Sequence, residues 1–220
     1  MAHTLIFDLD GTLIDSASSI LHCMEECVKE AGLKLTRPLE TDLIGPPLQE
    51  SLACITGLSD SQTLAQLSEA FVVRYDSLGL SRTKPYPEIG EVLQRLHAYG
   101  FTLHLATNKR MAPTRKLIQL FGWDSWFSSI YTLDMVQPRH PNKTVMLHCQ
   151  LRDLKIPLSQ AIYIGDTPAD GFAASANGLY FIAADWGYGN FENWDSITSW
   201  SRASQPADLL EALLHLDITR

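Results

Sequence analysis

No stretch of this chain approaches the roughly 18 consecutive apolar residues that a membrane-spanning helix requires, so no membrane contact is expected. Basic residues are in short supply too: 17 Lys and Arg stand against 25 Asp and Glu, a formal net charge of -8. A nucleic-acid binder more often carries a basic excess, and that class is set aside. Cysteine is sparse. Cys23, Cys27, Cys54 and Cys149 show no CxxC spacing, and thiols of this kind stay reduced in a cytosol. Cys23 and Cys27 lie four apart in a helical pattern, where they read as small apolar core residues more simply than as a metal pair. The opening MAHTLIFDLD has neither a basic n-region nor a cleavage signal. No secretory peptide is therefore expected, and the protein is expected in the cytoplasm.

What is present is ordinary globular composition, 45% hydrophobic and 19% charged over 220 residues, without repeats or low-complexity segments. That length suits one large domain or a core with an insert. Residues 4–8 read as a strand. From Ser16 the period changes, and Ile20, Cys23, Met24, Cys27, Val28 and Ala31 recur at helical spacing before Gly32. Further helices are predicted over about 48–56 and 61–78. The prolines of TKPYPEIG close this helical block.

Beyond it, strands and helices alternate. Strands are predicted at 101–107, 128–133, 161–165 and 179–184, and helices at 88–99, 113–121, 143–154, 168–176 and 206–216. Short apolar strands alternating with helices imply a parallel sheet covered on both faces. The expected fold is α/β, a Rossmann-like, doubly wound, five-stranded parallel core made of residues 1–15 and 82–220. Residues 16–81 are too long for a crossover connection and are expected to form an inserted helical cap.

Chemistry enters where the first strand runs into acids. Asp8 and Asp10 lie two apart, so both face one side of the chain at the strand's carboxyl end. In doubly wound sheets that end is where ligands bind. Two close carboxylates repel, and a hard cation such as Mg²⁺ holds both ionised. Gly11 permits a sharp turn, and Thr12 offers a hydroxyl and an N–H to an anion. An acid that merely caps the strand–loop junction is the plainer alternative. Three later stretches weigh against it. Thr107 and Asn108 place neutral donors at the end of a second strand, and Asp166 ends a third, followed by Asp170 near a helix start. Asp170 reads equally as a helix cap. Lys143 opens a helix against the usual dipole preference, which calls for an anion in front of it.

In this order, FDLDGTLIDS, LATNK, a downstream lysine and IGDTPAD resemble the four motifs of the haloacid dehalogenase superfamily of phosphohydrolases. The resemblance spans the whole chain and implies a set of roles. Asp8 is the nucleophile, forming an aspartyl-phosphate. Asp10 protonates the leaving oxygen and then activates water. Gly11, Thr12, Thr107, Asn108 and Lys143 hold the phosphoryl group. Asp8, Asp166 and the backbone carbonyl of Asp10 hold Mg²⁺, supported by Asp170. The dehalogenases of the family lack an aspartate two residues after the nucleophile, and its ATPases carry threonine there. Asp10 thus implies a phosphatase or a phosphomutase.

The chain departs from the family pattern in the third motif. Many relatives have Lys-Pro there, whereas the only Lys-Pro here, at Lys84, precedes the second motif. Lys143 is assigned because it opens the helix before IGDTPAD, with Arg139 the alternative. Lys109 reads either as a substrate contact or, more simply, as a lysine facing solvent.

IGPPLQESL and ADWGYG resemble the phosphoglycolate phosphatase group, with Gly45 and Pro46 in a stiff turn that either closes over the substrate or simply joins two helices. Arg37 reads more simply as a surface charge than as a carboxylate receptor. Trp186 and Tyr188 either line the rim or pack. The expected function is Mg²⁺-dependent hydrolysis of a small phosphate monoester, 2-phosphoglycolate first, by a monomer or homodimer. The alternatives are a sugar phosphomutase and, from another class, a non-enzymatic phospho-acceptor regulatory domain.

Overall fold

The computed structural model describes residues 4–192, 194 and 199–218. By its internal contacts the chain divides into two compact units: Met1–Ile14 with Pro85–Arg220, and Asp15–Lys84.

The first unit is a parallel sheet. Its strands are β1 (Thr4–Phe7), β2 (Thr102–Thr107), β3 (Phe127–Thr132), β4 (Ala161–Gly165), β5 (Tyr180–Ala184) and β6 (Trp200–Ala203). Their order is β3-β2-β1-β4-β5-β6. Phe7 sits opposite Leu105 on one side and Ile164 on the other. The central strands TLIF and AIYIG are buried throughout, as expected where helices cover both faces.

Six strands stand where the sequence predicts five. The added β6 is an edge strand, and its sequence WSRA carries too little apolar pattern to announce it. Neighbouring β5 supplies its register, Phe181 to Trp200 through Ala184 to Ala203.

Helices α4 (Ile89–Ala98), α5 (Met111–Leu120), α6 (Lys143–Asp153), α7 (Pro168–Ala176) and α8 (Asp208–Ile218) complete this unit. α4 buries Ile89, Val92, Leu93 and Leu96 along one stripe. Ile6, Tyr163, Phe181, Met146 and Leu147 share one core cluster. Each such side chain contributes about 1.5–3 kcal/mol by leaving water.

The second unit is helical, with α1 (Ala17–Glu30), α2 (Leu48–Thr56) and α3 (Ser61–Arg74). Ile20, Cys23, Met24, Cys27 and Val28 form the buried stripe of α1. Asp60 caps α3 by accepting from the Thr63 N–H at 2.8 Å. The helix predicted to reach residue 78 ends at Arg74 and continues as a wider turn, Tyr75–Gly79. Among the described residues no helix is long and apolar enough to cross a membrane.

A buried histidine sits in β2. His104 is 5% exposed, with Nδ1 2.8 Å from Ser129 Oγ. Gln150 Nε2 donates to the same hydroxyl oxygen at 3.2 Å and to the Leu105 carbonyl at 3.0 Å. Burial drives the imidazole pKa from 6.5 down to about 4. The unfolded chain therefore binds a proton between those values while the fold does not. Stability is fully present above 6.5 and is lost as pH falls toward 4. Urea midpoints measured at about pH 7 and about pH 4.5 are expected to fall less for His104→Gln than for the parent.

Candidate active site

A strand order of this kind reverses between β1 and β4, and the crevice beyond their carboxyl ends is the favoured ligand site. Asp8 follows β1 directly, with its N–H donating to the Ile164 carbonyl at 2.8 Å. Asp166 follows β4 directly, and Thr107 ends β2 on the other side of β1. The sheet thus delivers residues from three separate stretches of sequence to one place.

Asp8, Asp166 and Asp170 are all buried, and one carboxylate oxygen of each lies within 4.8 Å of the others. Burial lifts the Asp8 carboxyl to about 7 against the pull of Lys143, with Asp170 and Asp10 adding to the rise. Burial likewise raises Asp166 well above the usual carboxylate range, helped by the charges of Asp170 and Asp8. Two donors act against that rise: the Tyr188 N–H at 2.9 Å from Oδ2 and the Thr12 hydroxyl at 2.9 Å from Oδ1.

Lys143 is the cation of the cluster. Asn142 caps α6 by accepting from the Val145 N–H at 3.0 Å, which leaves Lys143 as the first helical residue. Its Nζ lies 2.5 Å from Asp170 Oδ1 and 3.0 Å from Asp8 Oδ1. The second approach is an ion pair. Among the described residues no hydrogen bond of good geometry reaches Asp8 Oδ1. Burial on its own would lower the lysine's pKa, but Asp170 and Asp8 outweigh it and hold the ammonium well above its ordinary value.

Asp170 is already fully engaged. Oδ2 accepts from the Thr167 N–H at 3.0 Å and the Thr167 hydroxyl at 2.6 Å, and the Asp170 N–H donates back to Thr167 Oγ1 at 3.3 Å, closing the capping box of α7 with Pro168 at its first position. Oδ1 takes Lys143 and faces the Tyr163 hydroxyl at 3.3 Å. The helix-cap reading and the site-support reading of Asp170 therefore describe the same carboxylate.

The donor set suits a hard divalent ion. Mg²⁺ binds oxygen at about 2.0–2.1 Å, so opposed ligands lie about 4 Å apart. Asp8 and Asp166 offer carboxylate oxygens to such an ion, while both oxygens of Asp170 already have partners. Three carboxylates against one ammonium also leave two negative charges unbalanced when all are ionised.

A model of haloacid dehalogenase-like hydrolases matches residues 5–184. The chain belongs to that family. It is 30% identical to the phosphoglycolate phosphatase of Psychrobacter arcticus, over 84% of each chain. It is 31% identical to a protein of Mycobacterium tuberculosis named tyrosine-protein kinase PtkA, over 95% of this chain and 72% of that one. A haloacid dehalogenase-like hydrolase from Streptococcus pneumoniae superposes with a TM-score of 0.83 at 25% identity, covering 96% of this chain and 98% of that one.

Several positions expected in this haloacid dehalogenase-like site behave differently in the structure. The Thr12 hydroxyl donates to the Asp166 carboxylate rather than to a phosphoryl group, and its N–H goes to the Leu9 carbonyl at 3.3 Å. The Gly11 N–H is bound to the Ile14 carbonyl at 2.9 Å. Gly11 instead makes room: at φ +84°, a Cβ there would lie 2.0 Å from Asp166 Oδ2.

Lys109 is not solvent-facing. Its Nζ lies 2.8 Å from Asp10 Oδ1, with side chains only 6% and 13% exposed. The Thr107 hydroxyl accepts from the Lys109 N–H at 3.2 Å, and Asn108 lies between them in the chain. Arg139 is exposed.

In the helical unit, Gly45 and Pro46 are exposed. Arg37 there pairs with Asp42 at 2.9 Å and Glu40 at 3.3 Å.

Gly187 and Gly189 escaped the sequence reading. A Cβ on Gly187 would lie 2.2 Å from Asp166 Cβ, and one on Gly189 would lie 2.1 Å from the Asp166 carbonyl. Trp186 packs with purpose, its indole N–H donating to the Thr12 carbonyl at 2.9 Å. The alternating glycines in ADWGYG, just past a strand, were the available signal.

Lys143→Ala removes the cation between two buried carboxylates and is expected to destabilise the fold by about 3–5 kcal/mol. Arg139→Ala is expected to stay within about 0.5 kcal/mol of the parent. Chemical denaturation of the two variants checks both values.

Proposed function

We propose that this enzyme, a phosphoric monoester hydrolase, cleaves a small phosphate ester in two steps through Asp8, with Mg²⁺ as cofactor. The observation that carries this is the Asp8 carboxylate. It is buried at the switch point of the sheet, beside Asp166 and Asp170, with the Lys143 ammonium 3.0 Å from its oxygen. In the first step a carboxylate oxygen of Asp8 bonds to phosphorus as the bond to the ester oxygen breaks, and Asp10 gives that oxygen a proton. In the second, water attacks the same phosphorus and loses its proton to Asp10. The Asp8–phosphorus bond then breaks and inorganic phosphate leaves.

Lys143 supplies positive charge to the phosphoryl oxygens, and the Thr107 hydroxyl and Asn108 amide hold them in place. Asp8, Asp166 and the Asp10 backbone carbonyl would hold Mg²⁺, which when bound supplies charge stabilisation to the transferring group. Both oxygens of Asp170 are engaged by other partners. That supports a role in steadying Lys143 and the cluster rather than in ligating the ion directly. Gly11 and Thr12 serve the site by accommodating and orienting Asp166.

Among substrates we favour 2-phosphoglycolate. The Psychrobacter relative carries that activity in its name, and Gly45 and Pro46 stand in the loop of the helical unit that we assign to substrate selection. The kinase name belongs to the M. tuberculosis protein, and a shared fold does not choose between the two chemistries. We further place the protein in the cytoplasm, acting as a monomer or homodimer on a small molecule and not on nucleic acid. The net charge of -8 supports the last point.

Phosphate release from a panel of monoesters, with and without Mg²⁺, tests the proposal. Release that requires Mg²⁺ is expected, together with a loss on the order of 10⁴-fold or more in Asp8→Asn. Full activity in that variant would contradict the nucleophile. Isomerisation without phosphate release would mark a mutase.

A further inference from the structure

The proposed mechanism leaves one buried charge unused, the Lys109 ammonium. Its Nζ lies 2.8 Å from Asp10 Oδ1, and both side chains are almost wholly enclosed. A lysine placed so deep loses hydration, and side-chain ordering adds to the cost. A solvated surface role does not account for that. The backbone of Lys109 is tied down as well, through its N–H to the Thr107 hydroxyl at 3.2 Å.

Asp10 lies on the loop between Asp8 and the Gly11 turn, just past the end of β1. A charge-assisted bond to one oxygen restricts that group to a narrow range of orientations.

We propose that Lys109 is a positioning residue for Asp10: its bond to Oδ1 sets the orientation in which the Asp10 carboxyl exchanges a proton with the leaving group. The inference rests on the reading of Asp10 as the proton carrier. It adds no new bond to the first step. The ester oxygen still leaves phosphorus as Asp8 bonds to it, and the proton still comes from Asp10. Lys109 determines where that proton is held.

The consequence is a dependence on leaving group. An alkoxide needs a proton as it departs, whereas p-nitrophenolate needs little. The constant kcat/KM reports the steps up to transfer onto Asp8, so it isolates this effect from water attack. Lys109→Met and Lys109→Gln are compared with the parent on p-nitrophenyl phosphate, glycerol 1-phosphate and 2-phosphoglycolate, all with Mg²⁺. Ratios between substrates on one preparation cancel any unfolded fraction.

Both variants are expected to lose about 10- to 100-fold in kcat/KM on the two alkyl esters relative to p-nitrophenyl phosphate, within the range of a general acid's contribution. Asp10→Asn is expected to show the same selectivity, and the double variant Asp10→Asn with Lys109→Met no further selective loss. Equal loss on all three substrates would overturn the proposal. So would a loss confined to 2-phosphoglycolate and expressed in KM, which would make Lys109 a carboxylate receptor. An Asp10→Asn variant without leaving-group selectivity would instead overturn the proton-carrier reading.

Discussion

Three buried carboxylates face one buried ammonium, and the rest of the site follows from that imbalance. Asp8, Asp166 and Asp170 lie within a few ångströms of each other, with Lys143 between Asp8 and Asp170. Burial lifts Asp8 to about 7 and raises Asp166 as well, and the neighbouring carboxylates add to both rises. The proposed Mg²⁺, held by Asp8 and Asp166, would supply the missing charge. The Asp10–Lys109 pair beside the cluster is balanced on its own. It adds nothing to the deficit, which suits a group assigned to proton transfer.

The surrounding structure holds Asp166 with unusual closeness. Gly11 and Gly187 leave space where any Cβ would strike it, Thr12 and Tyr188 donate to its two oxygens, and Gly189 donates its N–H to its carbonyl at 3.1 Å. These contacts come from the loop after β1 and the loop after β5, both at the carboxyl edge of one sheet. The same sheet ends in Thr107 on β2, and α6 and α7 begin at Lys143 and Pro168. The parallel sheet with its switch point brings distant sequence segments together without long loops.

Much of this was legible in the residues. An acid at the end of each of two apolar strands signals a shared crevice, where Asp8 and Asp166 meet, and a lysine opening a helix against its dipole signals a nearby anion. Asp8 and Asp170 prove to be those anions. Strand β4 and helix α7 were readable to the residue, because AIYIG is wholly apolar and Thr167-Pro168 announces a helix start.

What escaped depends on three-dimensional proximity. Lys109 looks like any loop lysine until the end of β2 is set beside β1. The Thr12 hydroxyl looked available because Asp166 is 154 residues away in sequence. Gly187 and Gly189 are required by the close approach of Asp166, joined by the Gly11 carbonyl at Gly187 and the Thr167 Cα at Gly189. The sixth strand is polar and takes its register from β5 rather than from its own pattern.

The charge deficit is tested most directly by the thermal stability of the protein titrated with Mg²⁺ in the absence of any substrate. A ligand that binds only the folded state stabilises it by mass action, and saturation is predicted to raise Tm by about 5 °C or more. In Asp166→Asn most of that rise is predicted to vanish. An unchanged Tm in the parent, or an equal rise in Asp166→Asn, would contradict the account.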